Sequence, residues 1–505
     1  MAFLQRNTNN QLKCDAVVIG WGLTGQSVAR FLLKKGVNLV AMDTRKKPPQ
    51  SKENLENMTR LIKGEIDHDF LEISQQIIIS PGIGKADLGF DIIARYGAKV
   101  IGDIELFAQS VEAPVIAITG TNGKTSVANF VRQIWSLLDY KSVNIGTNGV
   151  DGDYNHDVKL TTPEPLILHN LLDKLAKKNI SHCSMEASSH GLSQHRLDAV
   201  TLSAAAFTNF SHDHLDYHET FDAYFEAKMR LFEVILNKNG TAVIFMDQEK
   251  GKIVKNRCEH MGLSTFTIGK GDNNDIVIEK VNSDEISQTV RFRHRNYHYQ
   301  FRVELVGRFQ VDNVLVAVGL AIVLGEDIDK VTRLLSRLKP VPGRMQLVGL
   351  RKNRAPIFVD YAHTPDALKN ALISLRQHVL GRLIVIFGAG GDRDKDKRVL
   401  MGRVASKYAD SIYVTDDNPR GENPQSIRKA ILDGCNHGVE IGDRAEAIII
   451  GVSKLKEGDA LLIAGKGHET NQVIGDTVFP FNDIEQASMA IEILDGKKNG
   501  SLDFL

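Results

Sequence analysis

Cysteine is scarce: Cys14, Cys183, Cys258 and Cys435 are the four in a chain of 505 residues. No two of them form a CxxC pair, which excludes a disulfide framework and a closed thiolate zinc site. They read as reduced thiols of a cytoplasmic protein. Net charge is also lacking, since Lys+Arg and Asp+Glu both number 62. Nothing in that balance suggests a general nucleic-acid binder or membrane-surface protein, while it leaves room for a local basic patch. No run of about 18 apolar residues occurs, so no membrane-spanning helix is expected. Met1 to Asn7 turns polar at once, without a signal peptide's apolar stretch. Internal repeats and low-complexity tracts are missing too.

What remains is ordinary for a soluble globular chain: 42% hydrophobic and 25% charged residues, which excludes disorder. At about 150 residues per domain, the length suggests three domains. Short apolar runs alternate with helical patterns, the mark of α/β domains with parallel sheets. Strands are expected at Ala16–Gly20, Asn38–Asp43, Gln76–Ser80, Val115–Ile118, Pro356–Asp360, Leu383–Gly388, Ser411–Asp416 and Ala460–Ala464, with a first helix near Gln26–Lys35. Polar–apolar alternation over Ser283–Arg302 predicts an antiparallel excursion. Domain boundaries fall near residues 110 and 340.

Gly20-Trp21-Gly22-Leu23-Thr24-Gly25 is a full GxGxxG between strand and helix, and Asp43 ends the next strand. Such glycines let backbone N–H groups approach a phosphate at a helix N-terminus. Three readings fit: a dinucleotide site, a turn that only packs helix on sheet, or a cradle for a nucleotide-diphosphate substrate. Gly120-Thr121-Asn122-Gly123-Lys124-Thr125, followed by Ser126, is stronger. Its amides can wrap phosphate oxygens, Lys124 adds a point charge and Thr125 a hydroxyl for Mg²⁺. It departs from a strict P-loop, with Ile118 where the first glycine would stand. ATP binding is the expectation.

His212, His214 and His218 suggest zinc, but no cysteine or HExxH context supports a closed site. A milder reading gives one histidine and a nearby acid to an Mg²⁺ site, leaving His212 and His218 structural. Glu186, at a strand end, is a candidate metal carboxylate. Ser188 and His190 invite a hydrolase reading, which the missing GxSxG argues against. Lys228 reads by itself as an exposed helix lysine. Three C-terminal clusters lie at expected strand ends, where open α/β sheets bind ligands: Gly388 to Asp394, Asp417 to Arg420, and Gly465 to Glu469. Arg393 and Arg420 can fork onto a carboxylate while Asp417 and Glu469 accept from an ammonium, which suits a zwitterionic amino acid.

GTNGKT, the Glu186 segment, FTNFSHDHLDYH, the Lys228 helix, PVPGRMQ, DYAHTPDAL, GGDRDKDKR, DNPR and AGKGHE occur in the order seen in the Mur ligases of peptidoglycan synthesis. From about Thr121 onward the chain resembles the MurE type, with DNPR resembling the form that adds meso-diaminopimelate. GWGLTGQS, MDTRKKPP, SPGIG and GDIELF instead resemble the N-terminal domain of the MurD type. Two departures stand out: Gln346 replaces the glutamate usual after GRM, and Gln310 replaces a frequent asparagine, while Asn313 remains.

The resemblance implies three α/β domains: a Rossmann-like UDP-substrate domain over 1–110, a central P-loop-like ATPase domain over 111–339, and a Rossmann-like amino-acid domain over 340–505. It implies ATP and Mg²⁺ as cofactors. Gly120, Thr121, Asn122, Gly123, Lys124, Thr125, Ser126, Asn313, Arg344 and Asp360 would contact ATP. Lys124, Glu186, His214 and Lys228 would be catalytic, with Thr125, Glu186, His214 and a carbamylated Lys228 holding metal. The UDP-muramoyl peptide would meet Gly22, Leu23, Thr24, Asp43, Thr44, Arg45, Ser80, Pro81, Gly82, Thr161, Thr162, Ser188, Gln194 and Arg196. The amino acid would meet Arg393, Asp417, Asn418, Pro419, Arg420, Gly465 and Glu469. The implied activity is ATP-dependent ligation of meso-diaminopimelate to UDP-N-acetylmuramoyl-L-alanyl-D-glutamate. Partners would be small molecules only, with no nucleic acid and no membrane, for a monomeric cytoplasmic enzyme. A D-glutamate ligase, an NAD-dependent oxidoreductase and a non-catalytic nucleotide-binding protein are the alternatives.

Overall fold

The computed structural model describes residues 14–34, 36–50, 60–79, 95–96, 100–102, 115–158, 160–198, 200–211, 213, 215–284 and 286–496. The first of two compact units holds a parallel five-stranded sheet. Its strands are β1 (Ala16–Ile19), β2 (Leu39–Asp43), β3 (Arg60–Lys63), β4 (Gln76–Ile79) and β5 (Val100–Gly102), in the order β3-β2-β1-β4-β5. β1 and β2 are buried throughout, as strands covered on both faces must be. The order reverses between β1 and β4, and the GxGxxG turn leaves β1 at that switch point. The helix begins at Leu23 rather than near Gln26, because the turn itself supplies its first residues.

Two of those glycines are required by geometry. Gly20 has a φ of 100°, and a Cβ on Gly25 would lie 1.7 Å from the Gly20 carbonyl oxygen. Gly25→Ala is therefore expected to push the helix off the sheet, costing at least ~1–3 kcal/mol. Faster amide exchange in β1 and β4 than in the second unit would register it. Unchanged exchange would show that the turn yields freely.

The second unit carries a ten-stranded and a six-stranded sheet. In the first of these, β6 (Val115–Thr119), β7 (Ser142–Gly146), β8 (Gly149–Gly152), β9 (His182–Glu186), β10 (Leu202–Phe207), β11 (Leu236–Phe245), β12 (Ser264–Gly269), β13 (Ile276–Ser283), β14 (Gln288–His294) and β15 (Tyr297–Val303) run in the order β15-β14-β13-β12-β11-β10-β6-β9-β7-β8. The expected antiparallel excursion is the meander β13–β15. Register sets Glu186 beside Ile118 and Phe207 beside Thr119, so β6, β9 and β10 end at one level. The buried helix Arg308–Val323 packs its apolar side chains into this core.

The six-stranded sheet comprises β16 (Gln346–Leu350), β17 (Pro356–Asp360), β18 (Leu383–Phe387), β19 (Ser411–Val414), β20 (Gly438–Glu440) and β21 (Ala460–Ala464), ordered β16-β17-β21-β18-β19-β20. Only β16 is antiparallel. A separate hairpin follows, β22 (Asn471–Ile474) with β23 (Thr477–Pro480). β18 and β19 end one and two residues earlier than the sequence suggests, since Gly388 and Thr415 to Asp416 already turn into loops. No helix among the described residues is long and apolar enough to cross a membrane.

Candidate active site

The loop after β6 leads into the helix Lys124–Leu137, whose N-terminus is capped by Gly123 with φ 86° and no side chain. Its first amides are left without side-chain acceptors, the arrangement that binds phosphate. A Cβ at Gly123 would meet the Asn313 Oδ1 at 2.4 Å, and one at Gly120 the Thr208 hydroxyl at 2.0 Å. Lys124 Nζ curls back to donate to the Gly120 and Thr121 carbonyls, both at 2.9 Å. The Thr125 hydroxyl donates to Glu186 Oε2 (2.9 Å) and accepts from Arg344 Nη2 (3.1 Å). Glu186 is buried, with Oε1 accepting the Thr147 N–H at 2.8 Å. Gly146 makes room for that carboxylate: a Cβ there would stand 2.0 Å from Oε1.

Lys228 corrects the reading as an exposed lysine. It is 1% exposed on the helix Phe221–Arg230, with Nζ donating to the Gly120 carbonyl at 2.9 Å and lying 4.4 Å from the Tyr224 ring centroid. Burial, and then the nearby Lys124 ammonium, pull its pKa well below the ordinary lysine value, with Asp213 opposing. Burial lowers Lys124 as well, against the pull of Glu186 and Asp213. Two amines thus converge on one carbonyl oxygen with little solvent to screen them.

Arg344 stacks 4.6 Å from the centre of the Tyr361 ring, and its Nε is buried without a hydrogen-bond partner among the described residues. Such a donor fits an anionic ligand. At the end of β17, Asp360 accepts the Met345 and Ala362 N–H groups at 2.6 and 2.9 Å. Burial raises its carboxyl to about 6, against Arg344 and those two bonds. Gln310, in its asparagine's place, accepts from Asn313 at 3.1 Å and donates to the Arg344 carbonyl at 3.1 Å. Gln346 accepts the Gly343 N–H at 2.8 Å. A cavity of about 610 Å³ is lined by Lys124, Thr125, Ser126, Glu186, Lys228, Asn313, Arg344 and Asp360, so these residues share one opening.

Of the candidate UDP-substrate residues, Asp43 is tied into the first unit. Its carboxylate accepts the Trp21 N–H at 2.7 Å and pairs with Arg45 at 2.7 Å, and the guanidinium holds it down at about 2. Thr44 is exposed and Gly22 has open space around it. Arg196, also in the first unit, pairs with Glu164 at 3.1 Å. In the second unit Thr161 meets Thr147 at 3.2 Å, Thr162 meets Ser188 at 3.0 Å, and Gln194 donates to the Tyr217 hydroxyl at 2.9 Å. Ser80, Pro81, Gly82, His212 and His214, and the side chains of Leu23 and Thr24, lie outside the described residues. His218 is buried among the His190, Tyr217 and Tyr224 rings, as a structural histidine would be.

Among the amino-acid candidates, Arg420 has a φ of 51°, and its Nη1 donates to the Gly391 carbonyl at 2.9 Å. Arg393 is exposed, and Asp417 and Asn418 are buried. Pro419 is buried too, its carbonyl where a Cβ on Gly391 would fall, at 1.9 Å. A Cβ on Gly465 would reach Asp417 Oδ2 at 2.6 Å, so only glycine lets these loops close up. Glu469 Oε2 accepts from Asn418 at 2.9 Å and Lys466 at 3.1 Å. Sequence reasoning missed Thr147, Tyr361 and Lys466. The first two adjoin strand ends and could have been found there, whereas a buried lysine leaves no periodic signal.

Three family models match: Mur ligase MurD-like, N-terminal domain over residues 14–102; Mur ligase middle domain over 118–321; and Mur ligase, glutamate ligase domain over 343–467. The chain is 47% identical over 381 residues to a Brucella melitensis UDP-N-acetylmuramoyl-L-alanyl-D-glutamate--2,6-diaminopimelate ligase, covering 75% of this chain and 77% of the relative. The Caulobacter vibrioides protein of the same name is 41% identical over 427 residues, or 83% and 88% of the two chains. A solved structure under that name is 31% identical with a TM-score of 0.60, covering 90% of this chain and 92% of the other. MurF of Thermotoga maritima in complex with ADP, at 17% identity and a TM-score of 0.59 over 91% and 95%, shares the fold. The GxGxxG turn thus sits in a MurD-like domain and not in an NAD-dependent oxidoreductase. With identities of this size over three quarters or more of each chain, the protein is a member of the Mur ligase family.

Proposed function

We propose that this enzyme joins meso-diaminopimelate to UDP-N-acetylmuramoyl-L-alanyl-D-glutamate at the expense of ATP, in the cytoplasm, with domains divided near residues 110 and 340. The observation that carries the reading is the shared cavity. A phosphate loop, a buried carboxylate and a buried low-pKa lysine open onto it together. A carboxylate is a poor electrophile. The donor's carboxylate oxygen attacks the γ-phosphorus of ATP and ADP departs; the amine attacks the resulting acyl phosphate, and phosphate leaves as the amine loses its proton. Catalysis is then mainly positioning and charge stabilisation.

Backbone amides of Gly120 to Ser126, with Lys124, hold the phosphates; Asn313, Arg344 and Asp360 complete the nucleotide site. The donor set of Thr125 hydroxyl and buried Glu186 carboxylate suits a hard cation such as Mg²⁺. Lys228 suits carbamylation, since burial favours the neutral amine that adds CO₂, turning a would-be cation into an anion that would help His214 hold metal. When bound, Mg²⁺ supplies neutralisation of phosphate charge.

The test is ADP release with a panel of amino acids and both UDP-muramoyl donors. Release dependent on meso-diaminopimelate and the alanyl-glutamate donor is expected. Release with D-glutamate and the alanine donor would overturn the assignment in favour of the MurD-type reaction. Meso-diaminopimelate differs from L-lysine by a distal carboxylate, which Arg420 is placed to receive in this reading. Truncating a charged partner typically costs ~2–5 kcal/mol. Arg420→Ala is therefore expected to raise the KM for meso-diaminopimelate at least tenfold, with the KM for ATP nearly unchanged. Equal loss toward ATP would mean that the arginine only braces the loop.

A further inference from the structure

We propose that Lys466 is a positioning residue of the acceptor pocket: its buried ammonium fixes the orientation of the Asn418 amide and aims one oxygen of Glu469 at the incoming amino acid. The proposal rests on reading the strand-end loops as the acceptor site. Lys466 follows β21 and is wholly buried. Its three N–H bonds are all used, on Asn418 Oδ1 (3.2 Å), Glu469 Oε2 (3.1 Å) and the Asn471 carbonyl (2.6 Å). One ammonium therefore joins the loop after β19, the loop after β21 and the first residue of β22.

The bonds have a direction. Asn418 Oδ1 accepts from Lys466 and from the Val473 N–H (2.9 Å), and Nδ2 then faces Glu469 Oε2 at 2.9 Å. Flipping the amide would aim two donors at a third and turn the amide oxygen onto the carboxylate. Glu469 Oε2 is occupied twice, while Oε1 has no hydrogen bond among the described residues. That oxygen is the one left for a ligand ammonium. The Lys466 charge also offsets that of Glu469 at 3.1 Å, so the pocket does not simply collect cations. Selectivity for a side chain ending in both an ammonium and a carboxylate, over one ending in an ammonium alone, follows from that balance.

Steady-state kinetics of the full-length enzyme with Lys466→Met, Glu469→Gln and the double variant test the idea. Lys466→Met is expected to raise the KM for meso-diaminopimelate at least tenfold, with kcat within about threefold and the KM for ATP within about twofold. Its preference for meso-diaminopimelate over L-lysine is expected to narrow. In the Glu469→Gln background, adding Lys466→Met is expected to change the acceptor KM less than twofold, because the carboxylate that it orients is gone. The double variant leaves no uncompensated carboxylate, so it also serves if Lys466→Met alone does not fold. An unchanged acceptor KM in folded Lys466→Met, or multiplicative effects in the double variant, overturns the proposal. A wild-type enzyme that uses D-glutamate and not meso-diaminopimelate overturns only the functional reading. The same variants are then scored on D-glutamate, where an unchanged KM again decides against Lys466.

Discussion

Lys228→Ala is expected to fold and to lose ligation almost completely, with turnover at least a hundredfold below wild type. The side chain is 1% exposed, and its amine meets the Gly120 carbonyl at 2.9 Å, directly beneath the phosphate loop. Burial, and then Lys124, push its pKa well below the ordinary lysine value, which favours the neutral amine. In the proposed function that amine adds CO₂, and the carbamate would put an anion where a metal ion could use it. Alanine removes the anion, and a pre-organised charge contact of this kind is worth on the order of 10²–10³ in kcat. The helix itself is spared, because alanine is the best helix former, although the vacated volume lowers the melting temperature. Acetate at high concentration is expected to enter that volume and restore part of the activity. A Lys228→Ala enzyme with near-normal turnover would defeat the carbamate role.

The second large effect is at Lys124. Its ammonium is held by two carbonyls of the glycine loop at 2.9 Å, beside the amides proposed to bind phosphate. Lys124→Ala is expected to cut kcat/KM for ATP by roughly 10²-fold or more, while the KM for the amino acid stays nearly constant. Lys124→Arg should not rescue it, since a planar fork cannot reproduce a compact charge inside the loop. Tight NAD binding together with undiminished ATP turnover in Lys124→Ala would contradict the phosphate role.

Much of this site was legible because it is local. GTNGKT declares itself through a strand, a glycine turn and a helix start within a dozen residues, and the three C-terminal clusters follow strand ends that apolar runs locate. Lys228 was not legible as buried. Its segment, FEAKMR, places a lysine among apolar neighbours, and only the distant Gly120 carbonyl reveals which way it points. Lys466 is the same problem: an ordinary glycine-flanked lysine until β22 closes over it. The helix start at Leu23 was mistaken because GxGxxG reads as loop, whereas its second half is already helical. Buried cations whose partners are far apart in sequence are what a one-dimensional reading loses.

The bond from Arg344 to Thr125 spans 219 residues. During synthesis at about 5–20 residues per second, the phosphate loop therefore emerges some ~10–45 s before the guanidinium that completes it. In that interval β6, the loop and its helix can fold against β9 and β10, yet the nascent chain lacks Arg344, Tyr361 and Asp360. A ribosome-bound fragment thus holds the phosphate cradle without the groups that finish the nucleotide site.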